Sequence, residues 1–314
     1  MDKKKLKWIV GIVILAVIIA LPFVTQSSYL RSLITSICIY SIFAISYDLL
    51  LGYTGIASFG HAIYFGLGAY ILAYTTVRLR WPALLSLVVV IVVCVVISFI
   101  ISAITIRVKN LYFNMVTMAL GQLFYVLSTK LYKITGGDDG LPGVRNLFPS
   151  KNFFYVAAVL LVVLVYFFCH RIVNSPTGKV LQAIKNNEGR VGLLGYDTLK
   201  FKMFIIQISG ILAGIAGALY VSFIGIAYPT MLHSSLTLQA LFMVVLGGSG
   251  TLYGGVIGAI IMRLADSVLS TFTTRWMLIL GIVFIVVILF FPKGAAGIGQ
   301  SIAKKIRSKK EKKN

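Results

Sequence analysis

Acidic residues are scarce in this chain: eight Asp and Glu stand against 29 Lys and Arg in 314 residues. No two of them are spaced as a carboxylate pair for hydrolysis, and the three histidines form no H-E-x-x-H zinc motif. Cysteine is scarcer still. Cys38, Cys94 and Cys169 each lie inside an apolar run without C-x-x-C spacing, so they read as buried free thiols and not as a redox centre. Charged residues of both signs make up 12% of the chain, roughly half of what a soluble domain carries.

What fills the chain instead is hydrocarbon: 59% of it is hydrophobic, with a mean hydropathy of +0.97. Apolar runs of about 20 residues recur, each long enough to cross a hydrocarbon core of about 30 Å. The expected fold is an all-α, polytopic transmembrane bundle of about ten spans. These cover 8–24, 30–51, 56–77, 82–106, 111–131, 152–172, 201–224, 236–246, 256–269 and 276–291, the eighth being too short to cross alone. MDKKKLKW resembles the basic start of a signal peptide. Leu21-Pro22-Phe23 offers no small-residue cleavage site, so the first run reads as an uncleaved anchor. The expected organisation is a basic N-terminus (1–7), a transmembrane domain (8–292) and a basic tail (293–314).

The net charge of +21 sits at span ends and in the tail SIAKKIRSKKEKKN, without interleaved aromatics. That pattern fits the positive-inside rule and attraction to anionic lipid, and excludes nucleic acid as the partner. Ten spans with both termini inside place 20 of the 29 basic residues on the inner side, so N-in/C-in is favoured. The outer loop at 134–151 contains GGDDG, a solvated turn that lacks the spaced ligands of a calcium loop.

The longest central stretch that water would accept is SPTGKVLQAIKNNEGRVGLLGYDTLKFK, residues 175–202. A membrane protein that keeps such a loop on one face is expected to touch something with it. Its TGKV is not a phosphate loop, because Val173 and Val180 stand where a glycine and a hydroxyl are required. ATP, if used, is bound by another subunit. Gly247-Gly248-Ser249-Gly250 has the look of an intramembrane protease nucleophile, yet His61, His170 and His233 all precede it, and Thr251 breaks G-x-S-x-G. No catalytic residue, metal ligand or cofactor site is expected, and the chain reads as a non-enzyme.

Two segments are interrupted by glycine: LGYTGIASFGHAIYFGLGAY (51–70), where Ser58 and His61 share a face, and GGSGTLYGG (247–255). Non-helical backbone survives in a membrane only where protein or a water-filled cavity covers it, and paired interruptions point to a transport path. Small residues recur every four positions as Ser209, Ala213 and Gly217, as Gly210, Gly214 and Ala218, and as Gly254 and Gly258. Such faces let helices approach closely, which puts the helix from Phe201 at the centre of the bundle. Asp48 and Asp266 are the candidate intramembrane acids. An ion-coupled secondary carrier usually needs more ionisable groups deep in the bundle, and it stays open as an alternative.

GYTGIASFGHAIYFGLGAY, RVKNLYFNMVTMALGQLF with TGGDDGLPGV, the loop TGKVLQAIKNNEGRVGLLGYDTLKFKMFIIQISGILAGIAGALY, and LGGSGTLYGGVIGAI with FFPKGAAG together resemble the permease subunits of branched-chain amino acid ABC importers, of the LivM type. The likeness runs from about Leu30 to Gly297. It implies a bacterial inner-membrane heterodimer with a second, homologous permease, two cytosolic ATPases that bind ATP and Mg, and an extracytoplasmic solute-binding protein. It also implies that 175–202 docks on the ATPases. Gly178, Leu181, Ala183, Ile184, Glu188, Val191, Gly195 and Asp197 would carry that role, with Leu181, Ile184, Val191 and Leu194 on the apolar face of a short helix pair. Relatives importing urea or short amides share the motifs, so the solute stays open. Ser58, His61, Asn114, Thr117, Gln122 and Ser249, polar in apolar surroundings, are the candidates for lining the pathway.

Overall fold

The structure is a computed structural model that describes residues 27–108, 110–148 and 150–272, with positions 278, 279, 281, 282 and 285 beyond them. The expected spans 8–24 and 276–291 and the termini 1–7 and 293–314 lie outside the described residues, those isolated positions apart.

Helix α1 (Ser28–Thr54) is the axis of the bundle. Ser27 caps its start and Gly55, at φ 73°, ends it in the left-handed region that favours glycine. From Thr35 inward nearly every residue is buried, because α5, α8, α9 and α10 surround it. Helix α3 (Ala83–Thr105) and α4 (Asn110–Lys130) lie at the periphery. They turn Leu84, Val88, Val92, Met115 and Leu123 outward, as expected where the solvent is lipid. Helix α5 (Lys151–Asn174) leads directly into α6 (Pro176–Asn186) and α7 (Glu188–Leu193), and α8 (Thr198–Ile224) follows. Helix α10 follows and is described over Leu252–Phe272. Among the described residues, six helices are long and apolar enough to cross a membrane. This is a multi-pass helical membrane protein.

Two apolar helices of the bundle are shorter than a span: α2 (Ala62–Val77, 16 residues) and α9 (Ser234–Gly247, 14 residues). At 1.5 Å per residue they reach only about 24 and 21 Å. Each is preceded by non-helical chain, 55–61 before α2 and 225–233 before α9. Their starts meet: the Ala62 amide donates to Thr237 Oγ1 at 2.8 Å, and Gly66 lies against Leu232 and the Met231 carbonyl. The expected span 56–77 therefore loses its first turn and a half to irregular, turning backbone. Its exposed amides are met from outside, with Phe59 N donating to Thr117 Oγ1 of α4 at 3.2 Å. The stretch that packs against α2 beyond this break is not GGSGTLYGG, whose 248–251 form the turn between α9 and α10 and whose 252–255 open α10. It is the stretch after Gly225, where a left-handed cap ends α8 and Pro229 opens a 3-10 turn. At that end, β1 (Leu141–Pro142) and β2 (Ile226–Ala227) pair antiparallel, Leu141 opposite Ala227.

Helix α8 packs on α1, α2 and α3 together. Its small face makes this possible. A Cβ on Gly217 would fall on the Phe65 carbonyl, and one on Gly214 would meet Cys94 Sγ and approach the Tyr64 carbonyl. One on Gly210 would stand 3.0 Å from Ser98 Cβ. Gly254 and Gly258 do the same for α9 against α10, at the carbonyls of Gly247, Gly248 and Met243.

Candidate functional site

The central polar stretch forms an elbow and two helices at one end of the bundle. Ser175 ends α5 and caps α6, its Oγ accepting from Gly178 N at 3.2 Å. Gly178 is wedged against the Ile172 and Val173 carbonyls. Leu181, Ile184 and Val191 are buried, so the apolar face they make is turned onto the chain's own bundle. What faces outward is Ala183, Gly195 and Asp197 with Leu193 (90% exposed), Leu194 (72%) and Tyr196 (48%).

Three polar contacts fasten this element. Lys185 Nζ donates to the Gly52 carbonyl at 2.6 Å, one of the last carbonyls of α1 that have no partner within their helix. Glu188 Oε1 pairs with Lys202 Nζ at 2.5 Å and accepts from Thr198 Oγ1 at 3.2 Å, tying α7 to the first turns of α8. Asp197 caps α8 through Lys200 N at 3.3 Å. Its carboxyl is held below the usual carboxylate range, chiefly by the Lys200 side chain.

One turn before Gly52, Asp48 Oδ1 accepts from Gly250 N at 2.8 Å. A side chain at Gly52 would overlap both groups, so its absence lets the α9–α10 turn lie against α1. Lys185, Gly52, Asp48 and Gly250 thus connect α6 to the turn beyond α9 through the end of α1. A cavity of about 440 Å³ opens beside this node, bordered by Gly55, Asn114, Lys185, Glu188 and Lys202.

Of the pathway candidates, Ser58 and His61 lie in the 55–61 break and Thr117 packs on it, its Oγ1 accepting from Phe59 N. His61 is fully buried, its Nε2 2.9 Å from Ser46 Oγ, its ring against Phe43, Tyr47 and Tyr64. Thr117 and Ser58 are buried, Gln122 and Ser249 are exposed, and Asn114 borders the cavity just described. A second cavity, of about 390 Å³, is bordered by α1, α2, α8, α9, α10 and the stretch before α9, and none of the six lines it. It holds Arg263, a residue the charge count alone hides. The signal was present: a basic residue inside the expected span 256–269 with Asp266 three positions on is an ion pair on one helix face. Their NH1 and Oδ2 are 2.6 Å apart.

A buried bundle with two broken segments and an external helix pair defines a membrane transport component. The profile of the family described as branched-chain amino acid transport system / permease component matches residues 29–288, and the chain belongs to that family. It is similar to the high-affinity branched-chain amino acid transport system permease protein LivM of Escherichia coli (strain K12), 25% identical over 321 residues covering 93% of this chain and 75% of the relative. The probable LivM permease of Methanocaldococcus jannaschii is 25% identical over 285 residues, covering 78% and 83%. A shorter likeness, 32% over 103 residues and 31% of this chain, is to the ribose import permease protein RbsC of Haemophilus influenzae. No solved structure matches the chain.

Proposed function

We propose that this chain is a permease subunit of an ATP-binding-cassette importer that moves branched-chain amino acids across a bacterial inner membrane. The observation that carries the proposal is the α6–α7 element: it shows Leu193, Leu194 and Tyr196 to the outside, while Lys185 and Glu188 fasten it to α1 and α8. An element exposed on one side and anchored in the core on the other suits the passing of a partner's motion to the spans. The partners in this reading are a homologous second permease, two cytosolic ATPases carrying ATP and Mg, and an extracytoplasmic solute-binding protein. Both termini lie inside, residues 8–292 form the membrane domain, and the basic ends 1–7 and 293–314 meet anionic lipid. The chain itself performs transport and not hydrolysis.

The test is gentle purification of the tagged protein from native membranes, followed by reconstituted leucine uptake. Co-purification of an ATPase and a second multi-span protein in near equal amounts, with uptake that requires ATP, is the expected result. A protein that emerges alone and moves solute down an ion gradient refutes the reading.

A further inference from the structure

The second cavity has a chemistry that docking does not use. Arg263 and Tyr40 both lie inside helices long and apolar enough to cross a membrane, α10 and α1, Tyr40 one residue from the midpoint of α1. A guanidinium inside such a helix is costly unless paired, and such residues face interior cavities. Arg263 lies 4.6 Å over the Tyr40 ring and bonds Asp266 Oδ2 at 2.6 Å and Ser36 Oγ at 3.3 Å. Among the described residues, that uses two of its five N–H donors and one of the two Asp266 oxygens. The hydroxyls of Tyr220 and Tyr228, 3.5 Å apart, border the same space. The rest of the wall is mixed: Phe65, Met231, Leu236, Met243 and Met262 are apolar, and Thr230, Ser235 and Gln239 are polar.

We propose that this cavity is a transient site for a zwitterionic aliphatic amino acid on its way through the permease, an inference that rests on the transport reading above. The α-carboxylate meets the open donors of Arg263. The α-ammonium meets the free Asp266 oxygen and the tyrosine hydroxyls, and the side chain lies on the wall of Phe65 and the methionines. A zwitterion leaving water loses the hydration of two opposite charges, and a net-neutral ion pair supplies a counter-charge for each. Because Arg263 and Asp266 satisfy one another in the empty site, the surplus gained on binding is small. Weak binding suits a waypoint. The same neutrality disfavours amino acids with charged side chains, which would leave one charge uncompensated.

The experiment uses the whole importer in proteoliposomes and reads radiolabelled leucine uptake and ATP hydrolysis together. In the double variant Arg263→Gln/Asp266→Asn, neutral side chains keep the mutual hydrogen bond. It is expected to take up leucine about tenfold more slowly, with binding-protein-stimulated hydrolysis within about twofold of the parent, the tolerance allowed for bulk effects. Uptake within that same margin overturns the site. Where the double variant does not reach the membrane, Tyr220→Phe/Tyr228→Phe decides: uptake lowered about fivefold supports the site, and unchanged uptake overturns it. A parent complex that hydrolyses ATP yet takes up no leucine sinks the transport reading, and with it the zwitterion site.

Discussion

Replacing Lys185 with methionine tests the mechanical link between the external helix pair and the core. In the structure its ammonium is the partner of the Gly52 carbonyl, one of the four carbonyls that the C-terminal end of α1 leaves unbonded. The stem passes Gly55, where even a methyl group would stand 3.1 Å from Lys185 Cγ. Methionine keeps that apolar stem and removes the donor. A hydrogen bond to a charged partner is worth about 1.5–3 kcal/mol, and partial solvation puts this one near the lower bound. The loss of about 1.5 kcal/mol corresponds to roughly tenfold in the equilibrium between α6 seated on α1 and α6 detached. Leucine uptake per ATP hydrolysed should therefore fall about tenfold, on that same reckoning, in reconstituted complexes. Hydrolysis itself should persist, because the outward-facing Leu193 and Leu194 are untouched. Lys185→Arg should retain much of the coupling. Uptake per ATP equal to the parent in Lys185→Met would refute the link.

Substitutions at three further places in the fold probe other contacts. Gly217→Ala drives a methyl group into the Phe65 carbonyl of α2, a backbone atom that cannot swing aside; a loss of about 1–3 kcal/mol should lower the thermal midpoint in detergent, and an unchanged midpoint contradicts the packing. Asp48→Asn keeps an acceptor for Gly250 N, whereas Asp48→Ala leaves that amide unpaired at about 1–3 kcal/mol. Equal midpoints for the two variants would remove the turn's dependence on this bond. Leu193→Ser/Leu194→Ser should leave the permease folded, since both side chains are exposed. It should cut co-purifying ATPase by about tenfold, as loss of a central apolar anchor does; full recovery of the ATPase moves the docking surface elsewhere.

Much of this protein is legible in one dimension. Hydrocarbon runs and the scarcity of charge give a multi-pass helical membrane protein, because the length of a span and its transfer free energy are local sums over consecutive residues. The ordered motifs from the first glycine-rich segment to LGGSGTLYGG give the family. The position of the first helix break is also visible, as glycines at 52, 55 and 60. Its counterpart was not, since the chain around 225–233 breaks through a single glycine cap and a proline, weaker signals than the conspicuous GGSGTLYGG.

What the tertiary structure alone decided is which side chains meet. Leu181, Ile184 and Val191 form an apolar face in any helical projection of the sequence, but only packing shows that this face is spent on the chain's own core. His61, polar among glycines, turns out to be stacked on Phe43 with Tyr47 edge-on, while Arg263, lost in a charge count, borders a cavity with Tyr40, distant in sequence. Hydropathy records how far a residue is from liking water, whatever its neighbours. Pairing depends on the rotation and crossing of whole helices, fixed here by glycine contacts such as Gly217 on Phe65 and Gly52 on Gly250, and that information is carried jointly by residues far apart in the chain.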